Sequence, residues 1–530
     1  MSARWSALWP GNRRRPESHA AWEPLTIRDE PVQGRSSAMM DQMTTAYSPE
    51  LFAACGQEFS RQLGAYLARQ QAREGRVSPG DEPESLIAAA RSWLQAAPPT
   101  STEALSQRWS AMLATMLEHS QNLHHPRYIG HQVPAPVPLA GLCDAVGSVT
   151  NQPMAIFEMG PWATAVERAL VQALGERLGF PAGTFAGFIT HGGSLANYTA
   201  LLTARNVALP DAWEQGLDPA TSRPVILTQA DAHYSISRAA GMLGLGTRQV
   251  VKVGLDERRR MSPAALRTEL ERARRTGRTV IAVCASCCTT AIGAFDPLPA
   301  IADLCAEFGV WLHVDAAHGG AACFSPELRS LLDGITRADS VVWDAHKMLF
   351  VPALCAFVFY RNPAHRFEAF RQDAPYLFDP TAPGRADYDI GLQTVECTKR
   401  AAGFGLWGVW SLFGSDLFRR LVEETFALAR QFYAELLHQT DFVPLHEPQS
   451  NIVVFRHRPP EWAGLSDEAL GLRQLQLRRA LIESGRYYIT ATKLDGAGAL
   501  RVTIINPLTT IDDLRGLLPA LRDLARHQFP

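Results

Sequence analysis

Apolar positions change their period twice along this chain. From 49 to 118 they recur every three or four residues, as at Leu105, Trp109, Met112, Leu113 and Met116. That spacing predicts helices over 51–71, 84–96 and 102–119. A stretch at 139–151 follows, then a well-patterned helix over 161–178, stopped by Gly179. From 186 short apolar runs take over, at 186–190, 224–228, 248–253, 280–284, 310–315, 340–343 and 355–360. Helical stretches at 195–208, 236–241, 262–275 and 299–308 separate several of them. This alternation predicts an α/β fold built on a mainly parallel sheet of about seven strands. From 416 the order becomes a long helix, two strands, a helix, a strand at 500–505 and a last helix, a smaller α+β domain. The expected division is a disordered tail at 1–45, a helical segment at 46–140, a large domain at 141–415 and a small domain at 416–530. No internal repeat is visible.

Two apolar runs end in lone charged residues. Val310-Trp311-Leu312-His313-Val314 runs into Asp315, and Ser340-Val341-Val342-Trp343 leads through Asp344, Ala345 and His346 to Lys347. Open α/β sheets present their chemistry at the carboxyl ends of strands. Taken singly, a lysine there is usually a solvated strand end and an aspartate a turn former. Taken together, the amine suits a pyridoxal phosphate Schiff base and the acid suits its ring nitrogen. Opposite charges about 4 Å apart at an effective dielectric of about 20 gain roughly 4 kcal/mol. That is about three pKa units, enough to keep such a nitrogen protonated at neutral pH.

Two further motifs agree. Phe188-Ile189-Thr190-His191-Gly192-Gly193-Ser194 is a strand, a glycine pair and a helix start, which lets backbone amides and the Ser194 hydroxyl approach an anion. It is neither a Walker loop nor G-x-G-x-x-G, and many strand-to-helix turns need glycine for shape alone. Asp231-Ala232-His233 follows another apolar run, where His233 can stack on a planar ring; alone, it would read as a capping or core histidine.

Composition narrows the class. The 530 residues are 46% hydrophobic and 20% charged, ordinary for a globular enzyme of two to four units. A net charge of −2 offers neither nucleic acid nor an anionic membrane an electrostatic partner. No apolar run is long enough to span a bilayer, and Arg13-Arg14-Arg15 is not followed by a signal-peptide core. Nine cysteines, an odd number, point to a reducing compartment, and a cytoplasmic location is expected. Cys284, Cys287 and Cys288 lack a second ligand pair at zinc spacing and read as buried thiols, so no metal is expected.

With these motifs the chain resembles the pyridoxal phosphate-dependent decarboxylases of fold type I, group II, from about 125 to 511. That family includes glutamate, cysteine sulfinate, 2,4-diaminobutyrate and aromatic amino acid decarboxylases. The most specific matches are His313-Val314-Asp315-Ala316-Ala317-His318-Gly319-Gly320 and Asp344-Ala345-His346-Lys347. The resemblance implies a fold type I enzyme that removes the α-carboxylate of an L-amino acid as CO2, with pyridoxal 5'-phosphate as cofactor. Lys347 would carry the cofactor, Asp315 hold its ring nitrogen, and His233 stack on its face. Gly192, Gly193 and Ser194 would bind phosphate with His346 nearby. Thr290 would lie near the ring oxygen and Ala317 pack on the ring. Tyr376 would return a proton to Cα, while Arg501 and His131 would bind substrate. Family members are usually homodimers, so a homodimer is implied as well.

The chain departs from the family in places. Asp344-Ala345 stands where Asn-Pro is common, and an ionised Asp cannot donate to phosphate. Diaminobutyrate-type bacterial enzymes also carry Asp there, which tilts the expected substrate toward that branch. Gly130-His131 and Pro153 replace amides that glutamate decarboxylases use, which weakens glutamate as substrate. The substrate stays open among 2,4-diaminobutyrate, acidic and aromatic amino acids. Rival readings of the same Asp and Lys are an aminotransferase, a carbon–sulfur lyase or an aldehyde synthase.

Overall fold

The computed structural model of the chain describes residues 37–217, 224–370 and 387–529. Packing divides the chain into two compact bodies, one of residues up to 60 with 98–111, the other of 61–97 with 112–530. In the first, Trp109 Nε1 donates to the Cys55 carbonyl at 3.0 Å and Ser110 Oγ to Glu58 Oε1 at 2.6 Å.

The second body holds the expected sheet. Its strands are β1 (Ala186–Thr190), β2 (Val225–Gln229), β3 (Val250–Val253), β4 (Val280–Ser286), β5 (Trp311–Asp315), β6 (Ser340–Asp344) and β7 (Ala356–Tyr360). They lie in the order β1-β7-β6-β5-β4-β2-β3. β7 runs antiparallel to both neighbours, and the other pairs are parallel. The apolar runs of β1, β2, β6 and β7 are wholly buried, as a sheet covered on both faces requires. The helix Pro161–Leu178 opens on proline and closes on Gly179 at φ 104°, whose N–H bonds back to the Gly175 and Glu176 carbonyls.

A second sheet is antiparallel, with β8 (Phe442–Pro444), β9 (Ile452–His457), β10 (Thr490–Leu494) and β11 (Ala497–Thr503) in the order β8-β9-β11-β10. Phe432, Phe455, Leu477, Leu500 and Leu517 form its core with the helices Asp467–Glu483 and Ile511–Gln528.

Several expectations need correction. A helix, Ser37–Ala46, occupies the end of the stretch read as a disordered tail. The long helix begins at Phe404 rather than 416; Gly414, at φ 70° and ψ 177°, breaks it two residues before the expected start. The single strand at 500–505 is the second arm of a hairpin. Its first arm, β10, has a partly exposed centre and so lacks a continuous apolar signal. The hairpin turns at Asp495-Gly496, both at positive φ, a pair that favours such turns. No helix among the described residues is long and apolar enough to cross a membrane.

Candidate active site

A cavity of about 340 Å3 opens where five strands of the main sheet end. The turn after β1 supplies His191, Gly192, Gly193 and Ser194, and the loop after β2 supplies His233. Ser286 at the end of β4 and the turn beyond it supply Cys288, Thr289 and Thr290. Asp315, Ala317 and His318 come from the end of β5, and Asp344, His346 and Lys347 from the end of β6. All the expected cofactor residues therefore line one wall.

β5 and β6 are parallel neighbours, with Asp315 opposite Val342. The Asp344 N–H donates to the Ala317 carbonyl at 3.1 Å, which ties the two tips together. Lys347 sits in a short helical turn, Ala345–Met348, rather than on the strand end itself. Its Nζ lies 3.2 Å from Asp344 Oδ2, and His346 Nε2 lies 3.6 Å from the same oxygen. The His346 ring is anchored on the Cys355 backbone, with Nδ1 2.9 Å from its carbonyl oxygen and 3.2 Å from its nitrogen. Asp315 accepts the Ala317 N–H at 3.1 Å and an Asn197 amide hydrogen at 2.9 Å.

The glycine pair is shaped for close approach. Gly192 has φ 114° and caps the helix Gly193–Ala208. A Cβ on Gly193 would lie 2.7 Å from Asp344 Oδ2. Burial shifts the groups around the cavity. It pushes the Cys288 thiol up to about 12 and the His318 imidazole down to about 3, and it lowers His233. A neutral His318 donates from Nε2 to Asn451 Oδ1 at 2.7 Å.

The expected substrate residues stand apart from the wall. His131 is exposed, with Nε2 3.2 Å from the Tyr488 hydroxyl, and its neighbour Gln132 lines the cavity instead. Arg501 is buried behind the wall, where its charge acts on Cys288 and His318. Its Nη1 donates to Thr490 Oγ1 at 3.2 Å, while Nε and Nη2 have no partner. Burial brings its guanidinium down to about 10. Tyr376 lies outside the described residues.

Sequence reasoning missed Asn197, His313, His318 and the His191–Glu396 pair, in which His191 Nδ1 and Glu396 Oε1 are 3.1 Å apart. Asn197 and His313 sit inside a helix and a strand read as packing elements, where a polar side chain in an apolar run was the available signal.

The donor set fits pyridoxal phosphate. An amine and an acid face one cavity of suitable size, beside an imidazole and a glycine turn at a helix N-terminus. Asp344 Oδ1 is buried without a hydrogen-bond partner beside that turn; as an acceptor it is no ligand for a phosphate, whose contacts would fall to the backbone of the glycine turn, Ser194 and His346.

Comparison with known proteins agrees. The model of the pyridoxal-dependent decarboxylase conserved domain matches residues 83–458. Acidic amino acid decarboxylase GADL1 of Mus musculus is 32% identical over 423 residues, covering 78% of this chain and 76% of its own. The crystal structure of mouse CSAD superposes with a TM-score of 0.82 at 30% identity, covering 90% of this chain and 99% of that one. The Oryza sativa TDC structure with PLP and tryptamine has a TM-score of 0.82 at 22% identity, over 91% of this chain and 99% of its own, a likeness of fold.

Proposed function

The chain belongs to the pyridoxal-dependent decarboxylase family, and from that premise we propose that this amino acid decarboxylase acts on an acidic L-amino acid, releasing CO2 and the amine. The observation that carries a carboxylate substrate is Arg501, a buried guanidinium with two nitrogens unpartnered. Leaving such a cation unpaired is costly, so the site calls for an anion. An acidic side chain is supported by the relative named an acidic amino acid decarboxylase at 32% identity.

Lys347 is assigned to hold the cofactor through its amine, Asp315 to hold the ring nitrogen and its proton, and His233 to cover the ring face. Gly192, Gly193 and Ser194 take the phosphate at the helix start, with His346 beside them. Thr290 and Ala317 border the ring. Bound pyridoxal phosphate supplies an electron-poor ring that accepts the electron pair released at Cα. Arg501, set behind Cys288 and His318 rather than on the cavity surface, is assigned to steer the substrate carboxylate by its charge. His131 is assigned to the entrance, and Tyr376 to proton delivery at Cα. A homodimer is proposed as well. The helix Pro138–Val149 exposes Leu139, Leu142, Val146 and Val149, an apolar face of the kind that pairing covers. All nine cysteines are free, which supports a reducing, cytoplasmic setting.

Incubation with a panel of L-amino acids, scoring CO2 and amine, tests the substrate. Aspartate and cysteine sulfinate are expected to react, with aromatic and diamino acids lagging; a clear aromatic or diamino preference would overturn the assignment. Arg501→Met should lower kcat/KM about 30-fold or more, the loss expected of a charged hydrogen bond.

A further inference from the structure

We propose that Asn197 is a positioning residue that fixes Asp315 and His233 together, and that a one-way chain of hydrogen bonds from Trp311 through Ser340 and His313 sets its orientation. This rests on the assignment of Asp315 and His233 to the cofactor.

The direction of the chain follows from donor and acceptor arithmetic. An ionised carboxylate only accepts, so the Asn197 group 2.9 Å from Asp315 Oδ2 is its NH2. Asn197 Oδ1 then faces His313 Nε2 at 2.9 Å, and Nε2 must carry the proton. Burial drives the His313 imidazole down to about 4, so the ring is neutral and Nδ1 is bare. Nδ1 accepts the Ser340 hydroxyl at 2.9 Å. Ser340 Oγ in turn accepts the indole N–H of Trp311 at 2.9 Å, and an indole can only donate. Both ends are therefore fixed, one by an indole and one by a carboxylate. Rotating the Asn197 amide by half a turn would set oxygen against carboxylate and NH2 against N–H.

The same amide nitrogen has a second hydrogen. It points to Ser235 Oγ at 3.0 Å, and the Ser235 hydroxyl lies 2.9 Å from His233 Nδ1. The Ser235 backbone N–H also points at that nitrogen, at 3.3 Å. His233 Nδ1 thus accepts, and the ring keeps its proton on Nε2. One side chain fixes the orientation of the acid and the tautomer of the histidine. Asn197, Ser235, His313 and Ser340 are each 1% exposed or less, so water does not substitute for a lost link.

The test uses the full chain, stripped of cofactor and reloaded with pyridoxal phosphate. The readouts are the cofactor dissociation constant, the circular dichroism of its bound absorbance band, and kcat against KM. Asn197→Leu and His313→Leu should each weaken binding about tenfold and diminish the dichroic band, with kcat falling more than KM rises. His313→Gln keeps a donor for Asn197 and an acceptor for Ser340, so it should restore the band and bind within about threefold of wild type. Unchanged affinity and dichroism in the two leucine variants would overturn the proposal, as would failure of His313→Gln to rescue. Should the leucine variants not fold, Ser340→Ala removes one hydroxyl and is read the same way. Asp315→Asn separates the premises. If it too leaves affinity and dichroism unchanged, the cofactor assignment fails; if it alone changes them, the chain of hydrogen bonds fails.

Discussion

At the scale of single residues, contact distance decides. Position 193 tolerates glycine because the Asp344 carboxylate fills the space a side chain would need, 2.7 Å from a virtual Cβ. Gly193→Ala is expected to cost about 1–3 kcal/mol at this spot, because it forces two packed groups apart. A dialysis assay for retained pyridoxal phosphate checks it, and retention equal to wild type would show that Asp344 gives way freely. The residues legible in the sequence were those ending apolar runs, since a charge on the tip of a buried strand stands out. Lys347, Asp315, His233, Thr290 and Ala317 were of this kind or came with the family motifs, and all line the cavity. Asn197 and His313 were not legible as site residues, because their role exists only through partners 116 to 118 positions apart in the chain.

Among elements, one buried ion pair joins three parts of the chain. Lys399 Nζ meets Glu167 Oε1 at 2.7 Å and Oε2 at 2.8 Å, and Glu167 also accepts the Ile189 N–H at 3.0 Å. The pair links the helix Pro161–Leu178 to β1, whose end carries the glycine turn. Both side chains are 2% exposed or less, so the loss of one leaves the other charged and unpaired. Lys399→Met is expected to destabilise the fold by about 3–5 kcal/mol, read as a lowered denaturation midpoint in urea. Adding Glu167→Gln should recover much of that loss, because the stranded charge is then removed. The sequence revealed the main sheet because most of its strands are buried on both faces and read as apolar runs, with the edge strand β3 and its exposed Lys252 the exception. β10 escaped notice for the opposite reason, since its middle faces solvent.

For the whole molecule, buried histidines set the response to acid. Burial holds His313 and His446 down to about 4 and His318 to about 3, against an ordinary value of 6.5. Below 6.5 the unfolded chain takes up protons that the folded chain refuses, so stability falls as pH drops from there towards 4. Asp296, raised by burial to about 7, works the other way in that window, as do the raised Asp144 and His119, but nine histidines are lowered. The melting temperature of the protein without cofactor should therefore fall between pH 7 and pH 5; a flat or rising profile would contradict the buried, neutral state of these rings. By itself the sequence determined the class of fold, the order of strands and helices along the chain, and the motif-bearing ends where chemistry would sit. Those follow from local period and from charges that close apolar runs. Only the tertiary structure decided which ends share a cavity, that Asn197 serves an acid and a histidine at once, and that Arg501 stands behind the wall with two nitrogens unpaired. Hydrogen-bond partners and burial depend on segments distant in sequence, and no local pattern carries that information.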